Sequence, residues 1–215
     1  MLVLATVLAL VLHLAADRAH LRVGRALTKT AASAGFIAIA VDAGALASTW
    51  GQVLLVALGL SMLGDIFLLS RATKMFASGL VAFLLAHIAY GVAFVVRGID
   101  LTAAAAAAVV VAALALGTAR WVLPHVPDKL RAAVIAYIFA VSGMAILAVA
   151  AGYAAQSPAL AVAGVAFFIS DLFVARHRFV ARGFINRLIG LPLYYGAQIL
   201  FALHAAPPLA ALLAC

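Results

Sequence analysis

Glutamate is absent from this chain, cysteine occurs once, and charged residues fill only 9% of its 215 positions. Soluble domains carry roughly a quarter charged residues, so an ordinary water-facing surface cannot be built from this composition. A single cysteine, Cys215, excludes a disulfide framework and a Cys-based zinc site. Alternation of apolar and polar residues is also missing. The apolar runs are continuous and rich in Ala and Leu, which excludes a membrane β-barrel. What is present is a chain 69% hydrophobic. A bilayer core takes about 20 apolar residues per helix, so the length allows roughly eight crossings with short connections. The expected fold is all-α: one integral membrane domain over residues 1–215, a polytopic transmembrane helix bundle.

Hydropathy places the spans at 1–16, 30–47, 50–70, 76–96, 101–123, 130–151, 159–175 and 185–204. Residues 1–16 lack the basic start of a signal peptide and read as the first span. Pro124, Pro127, Pro158, Pro207 and Pro208 fall at or beyond span ends, whereas Pro192 lies inside the last span and predicts a kink there. The net charge of +8 sits in short connections, so it reads as membrane orientation and not as nucleic-acid binding. Of the fourteen Lys and Arg residues, only Arg97 lies in an even-numbered connection. The odd connections are therefore expected in the cytoplasm and both termini outside, in a bacterial cytoplasmic membrane. Gly64-Asp65-Ile66-Phe67-Leu68 is similar to Ser170-Asp171-Leu172-Phe173-Val174, each followed by a basic residue, and Tyr90-Gly91 follows the first much as Tyr195-Gly196 follows the second. A 4+4 parallel duplication explains this echo, and coincidence in an Ala/Leu/Phe-rich chain is the rival explanation.

All six acids are Asp. Asp17, Asp100 and Asp128 belong to connections, and Asp42 lies near an outer span end, where a charge reaches the interface. Asp65 and Asp171 differ, because each lies inside an apolar span five or six residues before the cytoplasmic basic residues. A rise of 1.5 Å per residue puts both about 8–9 Å below the inner boundary. An ionisable group within the bilayer costs at least ~2.5–3.5 kcal/mol, so it faces a cavity or a partner and usually serves a purpose. The rival is purely structural: each Asp pairs with Lys29 or a Tyr to lock helices together.

Polar residues on neighbouring spans complete a candidate site. Phe83, His87, Tyr90 and Gly91 share one helix face, while Asn186, Gly190, Tyr194 and Gln198 form a stripe at four-residue spacing. Tyr137 enters from the cytoplasmic side to the depth of the Asp pair, and Ser61 sits one turn from Asp65. Singly, each has a packing role available to it. A catalytic zinc usually takes three protein ligands, commonly His-rich, and only His87 is within reach of the Asp depth, so no metal or other cofactor is expected.

The segments SMLGDIFLL, GLVAFLLAHIAYGVAF, GVAFFISDLFVARHRF and LYYGAQIL resemble, in order, the motifs of the YhhN-like lysoplasmalogenase family. The resemblance runs from about span 2 to span 8. TKTAAS around Lys29 resembles the family's basic-Pro start of span 2 but lacks the Pro. The resemblance implies an eight-span membrane enzyme that hydrolyses the vinyl ether bond of lysoplasmalogens to a fatty aldehyde and a glycerophospho-alcohol, with no cofactor. Its chemistry parallels that of a glycosidase, with one carboxyl as acid and one ionised to stabilise positive charge or activate water. Asp65 and Asp171 would be that pair, with Ser61, His87, Tyr137, Asn186, Tyr194 and Gln198 positioning water or substrate. Lys29, Arg71, Lys74, Arg176 and Arg178 would attract the phosphate of a lysophospholipid presented by the bilayer. A proton-coupled transporter and a metal-dependent membrane lipid hydrolase are the alternatives.

Overall fold

The computed structural model describes residues 1–70 and 72–206. Those residues form eight α-helices: α1 (Leu2–Arg18), α2 (Arg22–Asp42), α3 (Thr49–Phe67), α4 (Thr73–Arg97), α5 (Leu101–Val122), α6 (Asp128–Ala154), α7 (Pro158–Ala175) and α8 (Phe184–Leu203). A π-helical turn, Arg176–Val180, prolongs α7. Side-chain caps mark two starts: Ser48 accepts from Gly51 N at 3.1 Å before α3, and Asp100 accepts from Ala103 N at 2.7 Å before α5. α2 begins eight residues before the expected span, because its first two turns carry Arg22, Arg25 and Lys29, which hydropathy alone assigns to a loop.

Five helices are long and apolar enough to cross a membrane: α3, α4, α6, α5 with its following turn, and α7 with its π-turn. The other three are shorter or more polar, α1 with 17 residues, α2 with four charges, and α8 with Asn186, Arg187 and Gln198. Large apolar side chains face outward around the bundle, Phe139 at 75% exposure and Val109 at 74% among them. A water-soluble monomer does not tolerate so continuous an apolar surface. Together these features point to an integral membrane protein. Pro192 lies within α8, which continues through it.

Neighbouring helices close a ring of six in the order α2, α3, α4, α6, α7, α8 and back to α2. α1 packs outside the ring on α2 and α8, and α5 packs outside it on α6. The ring encloses one large core, centred on Phe36, Leu54, Phe94, Phe167 and Phe201. A smaller satellite cluster, built on Val122, Val126 and Val134, lies towards the end of the bundle that carries the α5–α6 and α7–α8 connections.

Close approach at Gly64 positions the first Asp motif. A Cβ there would meet the Phe83 ring at 2.6 Å. Phe83 is itself buried in the main core and cannot swing away freely. Gly64→Ala should therefore destabilise the protein by ~1–3 kcal/mol, seen as a lower melting temperature in detergent. An unchanged melting curve would show that α3 and α4 do not pack this closely.

Candidate active site

Asp65 and Asp171 line one cavity of about 490 Å³ that opens at the basic end of the bundle. Their surroundings differ in kind. Asp65 is 2% exposed and receives three donors. Lys29 Nζ lies 3.0 Å from its Oδ1, and the hydroxyls of Ser33 and Tyr194 each donate to Oδ2 at 2.7 Å. Ser33 has one proton, and it goes to Asp65, so the Tyr195 hydroxyl 3.0 Å away is the donor to Ser33 Oγ. Three donors, one of them cationic, suit the acceptor oxygens of a carboxylate.

Asp171 sits on the opposite side of the ring, on α7. Tyr137 on α6 donates to its Oδ2 at 2.9 Å, and His87 Nε2 on α4 lies 3.3 Å from that same oxygen. His87 Nδ1 lies 2.6 Å from the Phe83 carbonyl. A carbonyl only accepts, so Nδ1 carries hydrogen, and a neutral imidazole would then turn its Nε2 lone pair towards Asp171. His87 Nε2 and the Asp171 carboxyl thus face each other at ion-pair distance, although Nε2 makes no hydrogen bond. Phe167 joins the two sides, 4.8 Å from the His87 ring and 5.2 Å from the Tyr194 ring, centre to centre.

Several predicted residues take other places. Lys29, expected to attract phosphate, is committed to Asp65 and only 7% exposed. Ser61 and Gln198 do not line the cavity; they flank Tyr90 one level deeper, where the Tyr90 hydroxyl donates to Gln198 Oε1 at 2.5 Å. Asn186 lines the mouth, but its amide holds the π-turn, accepting from Arg176 and donating to Ala181 O at 2.8 Å. That bond turns Arg176 away from the cavity lining, and Lys74 is exposed at the start of α4. Arg178 does line the mouth, stacked over Phe76 at 4.1 Å. Arg71 lies outside the described residues. Among the described residues, no group of three or more His, Cys, Asp or Glu side chains could hold a metal ion.

Sequence reasoning did not single out Ser33 and Tyr195 as site residues, although they lie in the quoted segments TKTAAS and LYYGAQIL. It also assigned Asp17 to a solvated connection. Asp17 is instead 3% exposed at the end of α1, taking Arg25 Nε at 2.9 Å and Arg187 Nη1 at 2.6 and 2.7 Å. This ion-pair hub ties α1 to α2 and α8 at the cavity mouth. Arg25, eight residues on, was the available local signal; Arg187 lies 170 residues away and could not be read from spacing.

The sequence model of the YhhN family matches residues 24–205. The chain belongs to the YhhN family. No curated protein and no solved structure matches it. Membership spans all six ring helices and both Asp motifs, and with the apolar helices it is consistent with a membrane hydrolase.

Breaking the buried Lys29–Asp65 pair from either side strands a charge. Lys29→Met and Asp65→Asn should each cost ~3–5 kcal/mol, and the double variant should recover part of the sum. Thermal melts of the three variants in detergent measure this. Strictly additive losses would mean that the two groups do not interact.

Proposed function

We propose that this protein hydrolyses the vinyl ether bond of lysoplasmalogen-type lysophospholipids, giving a fatty aldehyde and a glycerophospho-alcohol. The observation that carries the reading is the meeting of two differently partnered Asp residues in one cavity. Cleavage of a vinyl ether begins with proton transfer to the β-carbon, which leaves an oxocarbenium ion for water to trap. The Asp171–His87 pair is the proton source. Asp65, paired with Lys29 and accepting from Ser33 and Tyr194, supplies negative charge as the cation develops. Water then adds to the α-carbon and returns its proton to the Asp171–His87 pair. The resulting hemiacetal collapses to aldehyde and alcohol, so no other reactant is consumed.

Tyr137 orients Asp171, and His87 acts through the proton it shares. The headgroup phosphate meets Arg178 and Arg182 at the mouth; Lys29 acts on Asp65, not on phosphate. The eight helices are read as eight spans, with odd connections in the cytoplasm and both termini outside. The pairing of α1 on α2 and α5 on α6 supports an internal 4+4 repeat with Asp65 and Asp171 at equivalent places.

Purified protein in nanodiscs should release aldehyde from a lysoplasmalogen, followed by mass spectrometry. Asp171→Asn should lower kcat by at least ~10²-fold, the scale of a lost general acid. His87→Gln, which can still accept from the acid form but holds no mobile proton, should fall nearly as far. Full activity in a folded Asp171→Asn protein would remove the mechanism, and flux of an uncleaved solute would replace it with a carrier.

A further inference from the structure

Apolar side chains close-pack unless something keeps them apart. In this bundle the main core and the satellite cluster do not merge. Between them lies a second cavity of about 60 Å³. Leu68, Phe83 and Phe168 from the main core form one wall, and Leu80, Val134 and Ile138 from the satellite cluster form the other. That volume is several times the ~10–15 Å³ needed by one water, yet a chamber of this lining stays dry or takes hydrocarbon.

The chamber meets the larger cavity at Asp171 and Tyr137, which border both. Phe76 stands at the same junction, one face under the Arg178 guanidinium and its ring edge-on to Phe179 at 5.8 Å. At the far end the chamber reaches half-buried Thr118 on the peripheral helix α5, beside the outward-facing apolar surface. A path therefore runs from cations, past Asp171, through an apolar seam, to the membrane side of the bundle.

We infer that this seam is the chain-binding arm for a single-chain amphiphile, whose tail lies between the two clusters and leaves the protein past α5. The inference rests on the proposed function for the identity of the headgroup end, and it goes further in fixing where the hydrocarbon lies. With the headgroup at Arg178 and the tail in the seam, the bond joining them falls at Asp171. An aldehyde product would leave by the same apolar route, into lipid, while the polar alcohol leaves through the basic mouth.

The test needs no turnover. Full-length protein in nanodiscs is photolabelled with a hexadecyl phosphocholine bearing a diazirine in its tail, an unhydrolysable probe, and the adducts are mapped. Label should concentrate on Val134, Ile138 and Phe179. Val134→Trp, which fills the seam, should suppress that label and weaken probe binding about tenfold, the loss expected when about two methylenes leave an apolar site. Thr118→Trp, at the half-buried rim, should do the same in a protein whose melting curve is unchanged. Label spread over outward-facing residues and insensitive to both variants would overturn the inference. Seam labelling without aldehyde release would overturn the proposed reaction alone, and aldehyde release with label elsewhere would overturn the seam alone.

Discussion

Two carboxyl groups inside an apolar bundle must be given donors, and that requirement organises the rest of this structure. The cost of an unsatisfied charge away from water is large enough that helices bearing the donors are held wherever the acids lie. Asp65 on α3 draws Lys29 and Ser33 from α2 and Tyr194 from α8. Asp171 on α7 draws Tyr137 from α6 and His87 from α4. The six helices named in those contacts are the six that form the ring. The two helices outside it, α1 and α5, give neither Asp a partner.

The same asymmetry separates stability from chemistry. Asp65 is held by an ion pair and two hydroxyl donors. At Asp171 the His87 ring, held by the Phe83 carbonyl, turns Nε2 to within 3.3 Å of the carboxyl without a hydrogen bond. The notion that buried acids merely lock helices describes part of Asp65 well. It describes Asp171 less well, since that group borders both a cavity and a chamber.

Hydropathy located the helices, because a run of apolar residues as long as a bilayer is thick has few other folds open to it. Helical rise put Asp65 and Asp171 at one level, and both line one cavity together with Tyr137 and Tyr194. Spacing along one helix could not say which of four residues in the α8 stripe would reach an Asp. Tyr194 does; Gln198 lies one turn further and meets Tyr90, and Asn186 braces the π-turn. The helical state of the Lys29 segment was hidden for the opposite reason, and Ser33 was passed over inside the predicted span. The first turns of α2 are polar, and a basic stretch looks like a loop until its partner is known. Asp17 was misjudged likewise, since burial by Arg25 and Arg187 is a three-helix event.

The Tyr194 contact joins residues 129 positions apart, whereas Lys29 and Ser33 precede Asp65 by fewer than 40. As the chain is synthesised, α2 and α3 can enter the bilayer as a hairpin with the acid already neutralised. Asp171 emerges after both of its partners, His87 and Tyr137, have been made. Neither carboxyl has to wait in lipid for a helix yet to be translated, and α8 arrives last to seal a ring whose charges are already settled.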